Sequence, residues 1–321
     1  MKTSKRPLRT AFILILAGLV ICFAELAAAD FDFTRLDSTA YVDSKHAPEG
    51  EFTRISVDTD RADVYICISE SGKCEIECHE PEKRLHSVSV RDGVLSISQE
   101  KAKWYEEFFF MNLKRPRVTL RLPKAQYESL RLAGSTGSVY IRDAFTFADA
   151  YFTLSTGDAE ISGSAFGALE IRLSTGDITL ADISASSLDT RVSTGDTVFK
   201  NVNVKGALSF SASTGKTRFE HVVCADLRGT STTGSVYLSD VRASASMQIK
   251  CSTGGIRLTD CDAETLELSA STGDIEGNLI SAKTFDAHAS TGKVSCVSSA
   301  AGGLCTVRTS TGDIRLKAGK N

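Results

Sequence analysis

Leu169-Glu-Ile-Arg-Leu-Ser-Thr-Gly-Asp-Ile-Thr-Leu-Ala-Asp182 is one copy of a unit that this chain repeats. Its Thr-Gly pair returns at Gly137, Gly157, Gly176, Gly195, Gly215, Gly234, Gly254, Gly273, Gly292 and Gly312, always 19 or 20 residues after the last. Threonine precedes every one of these glycines, from Thr136, Thr156, Thr175 and Thr194 through Thr272 to Thr311. Serine precedes the threonine in nine copies, and Thr232 takes that place in the tenth. A fixed period of this length means stacked units rather than one closed globule.

Around each glycine the apolar positions change parity. Three, five and seven residues before it stand Leu173, Ile171 and Leu169. Two and four residues after it stand Ile178 and Leu180, and the same offsets hold for Val236 and Leu238, Ile256 and Leu258, Ile314 and Leu316. A straight strand alternates its faces with period two, so one strand cannot bury both sets. The chain must turn a corner at Thr-Gly-Asp, with glycine supplying the backbone freedom. A second corner is expected at the polar segments Ala181-Asp182, Ser239-Asp240 and Thr259-Asp260, which share one offset. The fold class is therefore all-β: a parallel β-solenoid of about ten coils. The usual hand of parallel crossovers predicts a right-handed coil.

Parity places the threonines on the side of the buried positions. This predicts an inward column whose methyls pack and whose hydroxyls bond the corner backbone. A flat threonine array against a crystalline surface would need the opposite orientation. The residue after each glycine forms a second column. Asp158, Asp177 and Asp196 are consecutive in it, and three stacked carboxylates could attract a cation such as calcium. Elsewhere that column alternates in sign, as in Asp274, Lys293 and Asp313.

The chain divides into four parts. Basic residues and the apolar run from Ala11 to Ala24, ending at Ala27-Ala28-Ala29, make residues 1–29 a signal peptide or an N-terminal membrane anchor. Residues 30–49 read as a polar stalk. Residues 50–129 form a β-rich cap, with hairpin turns at Gly72-Lys73 and Asp92-Gly93. Residues 130–318 are the solenoid. Within the cap, the segment 103–113 gathers Trp104, Tyr105, Phe108, Phe109 and Phe110. It is either a loop folded over the core or an aromatic contact surface, with Trp104 and Phe109 as candidate ligand-binding residues.

A net charge of −3 gives no electrostatic footprint for nucleic acid. The five histidines are scattered, and coils that vary by one residue leave no long loop for a catalytic site. The expectation is a non-enzyme with no cofactor and no metal. Cys67, Cys74, Cys78 and His79 match a zinc set only loosely, because their strand faces disagree. Cys251, Cys261, Cys296 and Cys305 replace Leu, Val or Ile of other copies and read as buried apolar residues.

Val118-Thr-Leu-Arg-Leu-Pro123, the repeated Ser-Thr-Gly-Asp-Ile coils, the Asp92-Gly93-Val94-Leu95 turn, the Gly72 to Cys78 strand and Trp104-Tyr105 together resemble the bacterial β-strand-repeat family called putative adhesin, domain of unknown function 4097 (DUF4097). The resemblance covers about residues 50–318. It implies a β-solenoid that is exported or tethered, with no known catalytic residues. The functional expectation is a surface protein that binds a glycan, an envelope polymer or a protein along a solenoid face. The alternative is an envelope-stress sensor or scaffold held in the membrane by residues 11–29; a carbohydrate-active enzyme ranks third.

Overall fold

The structure, a computed structural model, describes residues 6–28, 31, 40–99, 115–297 and 302–319. A mostly apolar run, with Pro7 in its first turn and one internal Gly18, forms α1 (Arg6–Ala28). Its Thr10–Ala28 stretch is long and apolar enough to cross a membrane, and none of it is buried against the rest of the chain. The leading strands are β1 (Tyr41–His46), β2 (Arg54–Thr59), β3 (Asp63–Ile68), β4 (Glu75–Pro81), β5 (His86–Arg91), β6 (Val94–Gln99) and β7 (Arg117–Leu122). The repeats supply β8 (Gln126–Thr136), β9 (Val139–Ile141), β10 (Thr146–Thr156), β11 (Ala159–Ser162), β12 (Ala165–Thr175), β13 (Ile178–Thr194), β14 (Thr197–Val204) and β15 (Ala207–Thr214). They continue as β16 (Thr217–Thr233), β17 (Val236–Thr253), β18 (Ile256–Thr272), β19 (Ile275–Leu279), β20 (Lys283–Thr291), β21 (Val294–Cys296), β22 (Gly303–Thr311) and β23 (Ile314–Ala318).

Every repeat strand pairs in parallel with its neighbours, in register apart from shifts after Cys224, Ala243 and Leu258, so equal positions stack into columns. One inward column runs Ile55, Leu130, Ala150, Leu169, Leu188, Leu208, Leu227, Met247, Leu266 and Cys305. All ten are at most 2% exposed, and each buried Leu or Met contributes about 1.5–3 kcal/mol relative to exposure. Cys305 closes the column in a place held elsewhere by leucine, as expected. Cys251 and Cys261 are likewise buried, while Cys296 is half-buried.

Both expected corners exist. At the first, the repeat glycines adopt φ between 133° and 148°. An added Cβ would meet the backbone of the coil beside it: Gly195 would place one 2.6 Å from the carbonyl carbon of Gly176. At the second corner Asp182, Asn201, His221, Asp240 and Asp260 take φ between 50° and 54°, a left-handed conformation that Asp and Asn tolerate better than most. Side chains tie successive corners together, with Asn201 donating to Asp182 at 2.8 Å and Asn278 to Asp260 at 2.6 Å.

The threonine column corrects the sequence expectation. All ten corner threonines are exposed. They form one line in space, from Thr136 to Thr272, then Thr311, then Thr291. Nine strand spacings of about 4.8 Å make it about 43 Å long. Parity fails because the bend starts at the serine. Ser155 and Thr156 both point outward, as do Ser174 and Thr175, so alternation slips by one before glycine is reached.

Two further expectations change. Gly72 does turn the chain, with φ 70°, but β3 and β4 form no hairpin, because β7 lies between them, parallel to β3 and antiparallel to β4. The Asp92-Gly93 hairpin does form, between β5 and β6. The coils are also not stacked in strict chain order. β2 lies between β6 and β8, and at the other end β22 lies between β18 and β20. The strands β2, β3, β6 and β7 thus extend the parallel stack, β4 and β5 run antiparallel to it, and β1 pairs antiparallel with β4.

Candidate binding face

The aspartate column has a structural duty. Asp158 Oδ1 accepts the Asp177 amide at 2.8 Å, Asp177 Oδ1 accepts the Asp196 amide at 2.7 Å, and Asp196 Oδ1 accepts the Lys216 amide at 2.7 Å. Asp274 and Asp313 do the same for Asp313 and Lys293, each at 2.8 Å. The corner turns its amide toward the preceding coil, and a short carboxylate is the acceptor that reaches it. This explains why Asp follows Gly so often and why Ser138 and Ser235 can replace it, accepting at 3.0 and 3.2 Å. Asp177→Ala is expected to cost about 1 kcal/mol, measured by denaturant unfolding, equally with calcium and with chelator. A calcium-dependent stabilisation that the variant loses would instead assign the column to a cation.

Trp104 and Phe109 lie outside the described residues. What the structure adds is an outward column on the face after the first corner, three residues past the repeat glycines and continued at the leading end by Tyr65. It runs Tyr65, Tyr140, Glu160, Thr179, Val198, Arg218, Tyr237, Arg257, Glu276 and Arg315 in register. Tyr65 and Tyr140 stack with centroids 4.7 Å apart. The Arg117 guanidinium lies 5.3 Å over Tyr65, and that of Arg142 lies 5.3 Å over Tyr140. Further along, Arg218 and Arg257 flank Tyr237 at 5.6 and 6.0 Å. Cation–π contacts of this kind hold a guanidinium flat while leaving its N–H edge available.

The arginines are not equivalent. Arg142 is committed to Glu160 by two hydrogen bonds of 3.0 and 3.1 Å. Arg257 is held by Glu276, and Arg315 reaches Asp313 at 2.7 Å and Asp274 at 3.2 Å. Arg117 is exposed, and among the described residues no carboxylate pairs with it. It also lines two adjoining surface clefts. One, of about 220 Å³, includes Tyr65, Cys67, Tyr140, Arg142 and Asp143. The other, of about 440 Å³, includes Asp43, Lys45, Glu77 and His79. Tyr65 is partly desolvated, and burial followed by the nearby Asp63 charge pushes its phenol above the ordinary tyrosine range. The phenol is therefore neutral and a hydrogen-bond donor at physiological pH. Sequence reading passed over this column because polar outward residues leave no hydrophobic period, although a constant offset from glycine marks them.

The loosely zinc-like cysteine set is not brought together. The metal-capable group among the described residues is Cys78, Glu80 and His86. His86 Nδ1 lies 2.5 Å from Glu80 Oε2, the His86 amide donates to the same oxygen at 2.8 Å, Ser44 donates to Oε1 at 3.1 Å, and Thr59 Oγ1 is 3.2 Å from Nε2. The Glu80 and His86 side chains are fully buried. Every polar end is satisfied, so the group reads as a lock joining β1, β2, β4 and β5. Burial pushes the thiols of Cys78, Cys224 and Cys305 up to about 12 and those of Cys74, Cys251 and Cys261 to about 11. Such thiols are inert.

Among solved structures, a protein from Parabacteroides distasonis named putative adhesin is similar at 12% identity and a TM-score of 0.54, covering 87% of this chain and 98% of that one. A protein named putative adhesin from Bacteroides fragilis is similar at 17% identity and a TM-score of 0.47, covering 88% and 98%. Another from P. distasonis, named putative lipid binding protein, is similar at 13% identity and a TM-score of 0.46, covering 87% and 98%. No curated protein matches the chain. The sequence model described as Toastrack DUF4097 matches residues 52–210 and again 205–321. With nearly the whole strand region matched and the parallel stack in place, the chain belongs to the Toastrack DUF4097 family.

Proposed function

We propose that this protein is an exported or membrane-tethered rod that acts by binding rather than turnover, and that it holds an acidic glycan or other anionic envelope polymer across the Arg117 patch. The observation that carries the reading is Arg117 itself, exposed, without a carboxylate partner among the described residues, stacked on Tyr65 and shared by two clefts. A guanidinium edge binds carboxylate or phosphate in a bidentate way, and the neutral Tyr65 phenol beside it suits sugar hydroxyls. The exposed α1 supports placement at or beyond a membrane.

The test uses the full chain in detergent micelles, with alginate as an acidic probe and dextran as a neutral one. Saturable binding to alginate is expected. Arg117→Ala should weaken it about tenfold, the equivalent of about 1.4 kcal/mol, with unchanged circular dichroism. Equal retention on dextran, or binding that ignores Arg117, would sink the proposal. Capture of membrane proteins alone from an envelope extract would favour the sensor or scaffold alternative.

A further inference from the structure

The outward column that begins with Tyr65 and Tyr140 carries a second cluster further along the stack. Tyr237 stands six strands from Tyr65 in register, so about 29 Å separates them at about 4.8 Å per strand. Arg257 lies against one side of the Tyr237 ring and is committed to Glu276. Arg218 lies against the other side. Among the described residues the carboxylate paired with Arg218 is Asp196, at 4.0 Å, too long for a hydrogen bond. The corner is the cause: Asp196 turns its Oδ1 to the Lys216 amide at 2.7 Å, which leaves only the other oxygen facing the guanidinium. The Lys216 side chain is exposed, and no carboxylate pairs with it among the described residues.

Between the clusters the column holds Glu160, Thr179 and Val198, and Glu160 is already neutralised by Arg142. Asp158, Asp177 and Asp196 line one side of this lane. They repel an acidic chain toward the other side, where Ser162, Ala181 and the exposed Lys200 stack in register. Beyond Lys200 that row carries Glu220, which turns an acidic chain onto Arg218 and Lys216 of the same coil. We propose that Lys216 and Arg218, beside Tyr237, form a second subsite for an acidic sugar, and that one polyuronate chain lies along the stack from Arg117 to Arg218. Arg218, held flat on the ring, offers a bidentate N–H edge to a carboxylate, and Lys216 adds a point charge. One polymer engaging both clusters makes the second contact intramolecular, so modest subsites add up to firm retention. The choice of ligand and the bridge rest on the Arg117 reading; the second subsite does not.

The experiment is calorimetric titration of the full chain in detergent micelles with two probes, polymeric alginate and a mannuronate trimer too short to span the clusters. The wild type should bind two trimers per chain, and alginate more tightly than the trimer. Lys216→Gln combined with Arg218→Gln should leave one trimer site and weaken alginate about tenfold, with unchanged circular dichroism. Arg117→Ala should also leave one trimer site, so each subsite is read separately. Alginate binding that falls with Arg117→Ala but ignores the combined variant would overturn the second subsite and leave the first. Binding that falls with the combined variant but ignores Arg117→Ala would keep the second subsite and overturn both the Arg117 reading and the bridge. A trimer that binds the wild type as tightly as alginate does would overturn the bridge alone.

Discussion

Gly195→Ala is expected to destabilise the protein by at least about 3 kcal/mol, read by urea denaturation of the full chain. Two effects add. The residue sits at φ 148°, where side-chain-bearing residues are rarely found. A methyl group there would also land on the carbonyl of Gly176, with the Asp177 carboxylate 3.0 Å away. Neither can yield, because the Gly176 carbonyl belongs to a corner clamped by the coils on both sides. The Gly195 amide itself donates to Thr214 at 2.9 Å, so a shift would break the ladder in both directions. Gly93→Asn is the control. It too has positive φ, at 72°, but its nearest neighbour is the far end of the Arg54 side chain at 3.8 Å, and Asn accepts that conformation. A loss below about 1 kcal/mol is expected there. Equal costs at the two sites would mean that coil contact is not what requires glycine.

His86→Ala is expected to cost about 3 kcal/mol, because it leaves the buried Glu80 carboxylate without its main hydrogen-bond donor. Burial acts to raise the Glu80 carboxyl, but the His86 ring, the His86 amide and the Ser44 hydroxyl outweigh it and hold it below the usual carboxylate range. A group depressed in the fold contributes stability above its unfolded pKa, and that contribution is lost as pH falls through the folded value. The wild type should therefore lose stability on acidification below about pH 4.5, the ordinary glutamate range. In His86→Ala the carboxylate stays buried without its main donor and its pKa must rise. The deficit of the variant should be greatest at neutral pH and shrink in acid, as Glu80 takes up a proton. Glu80→Gln keeps the shape and removes the charge, so its stability should lose this acid limb. An acid limb unchanged in both variants would place the titrating group elsewhere.

Much of the architecture was legible in the residues. The change of apolar parity across each glycine requires a corner, and the recurring Asp182, Asp240 and Asp260 mark the second one. The aspartates after glycine read from the sequence as a candidate cation site, and their contacts with the next coil's amides give them a structural duty. The threonines were misread, because parity counting assumes that a strand runs straight to its last residue. Here Ser155 and Thr156 already follow the bend, and a slip of one residue turns a side chain to the opposite face.

The candidate site was the least legible part. Tyr65, Arg117 and Tyr140 come from the leading region and the first repeat, and they meet only because β3 lies between β7 and β9. Outward residues carry no apolar period, so nothing local distinguishes Arg117, without a carboxylate partner among the described residues, from Arg142, which Glu160 neutralises. The same holds for Glu80 and His86, whose sequence neighbourhood reads as an ordinary strand and turn.

The sequence by itself determined the coil, its period and its corners, because these depend on interactions between equivalent positions and repeat with the sequence. Tertiary structure alone decided which coil lies at each end, which way the threonines point and that Arg117 has no carboxylate partner among the described residues. Those outcomes depend on pairings between strands far apart in the chain, and a 19–20-residue repeat makes many such pairings locally equivalent. Only the packing of the whole stack selects among them: β22 between β18 and β20, and β2 between β6 and β8.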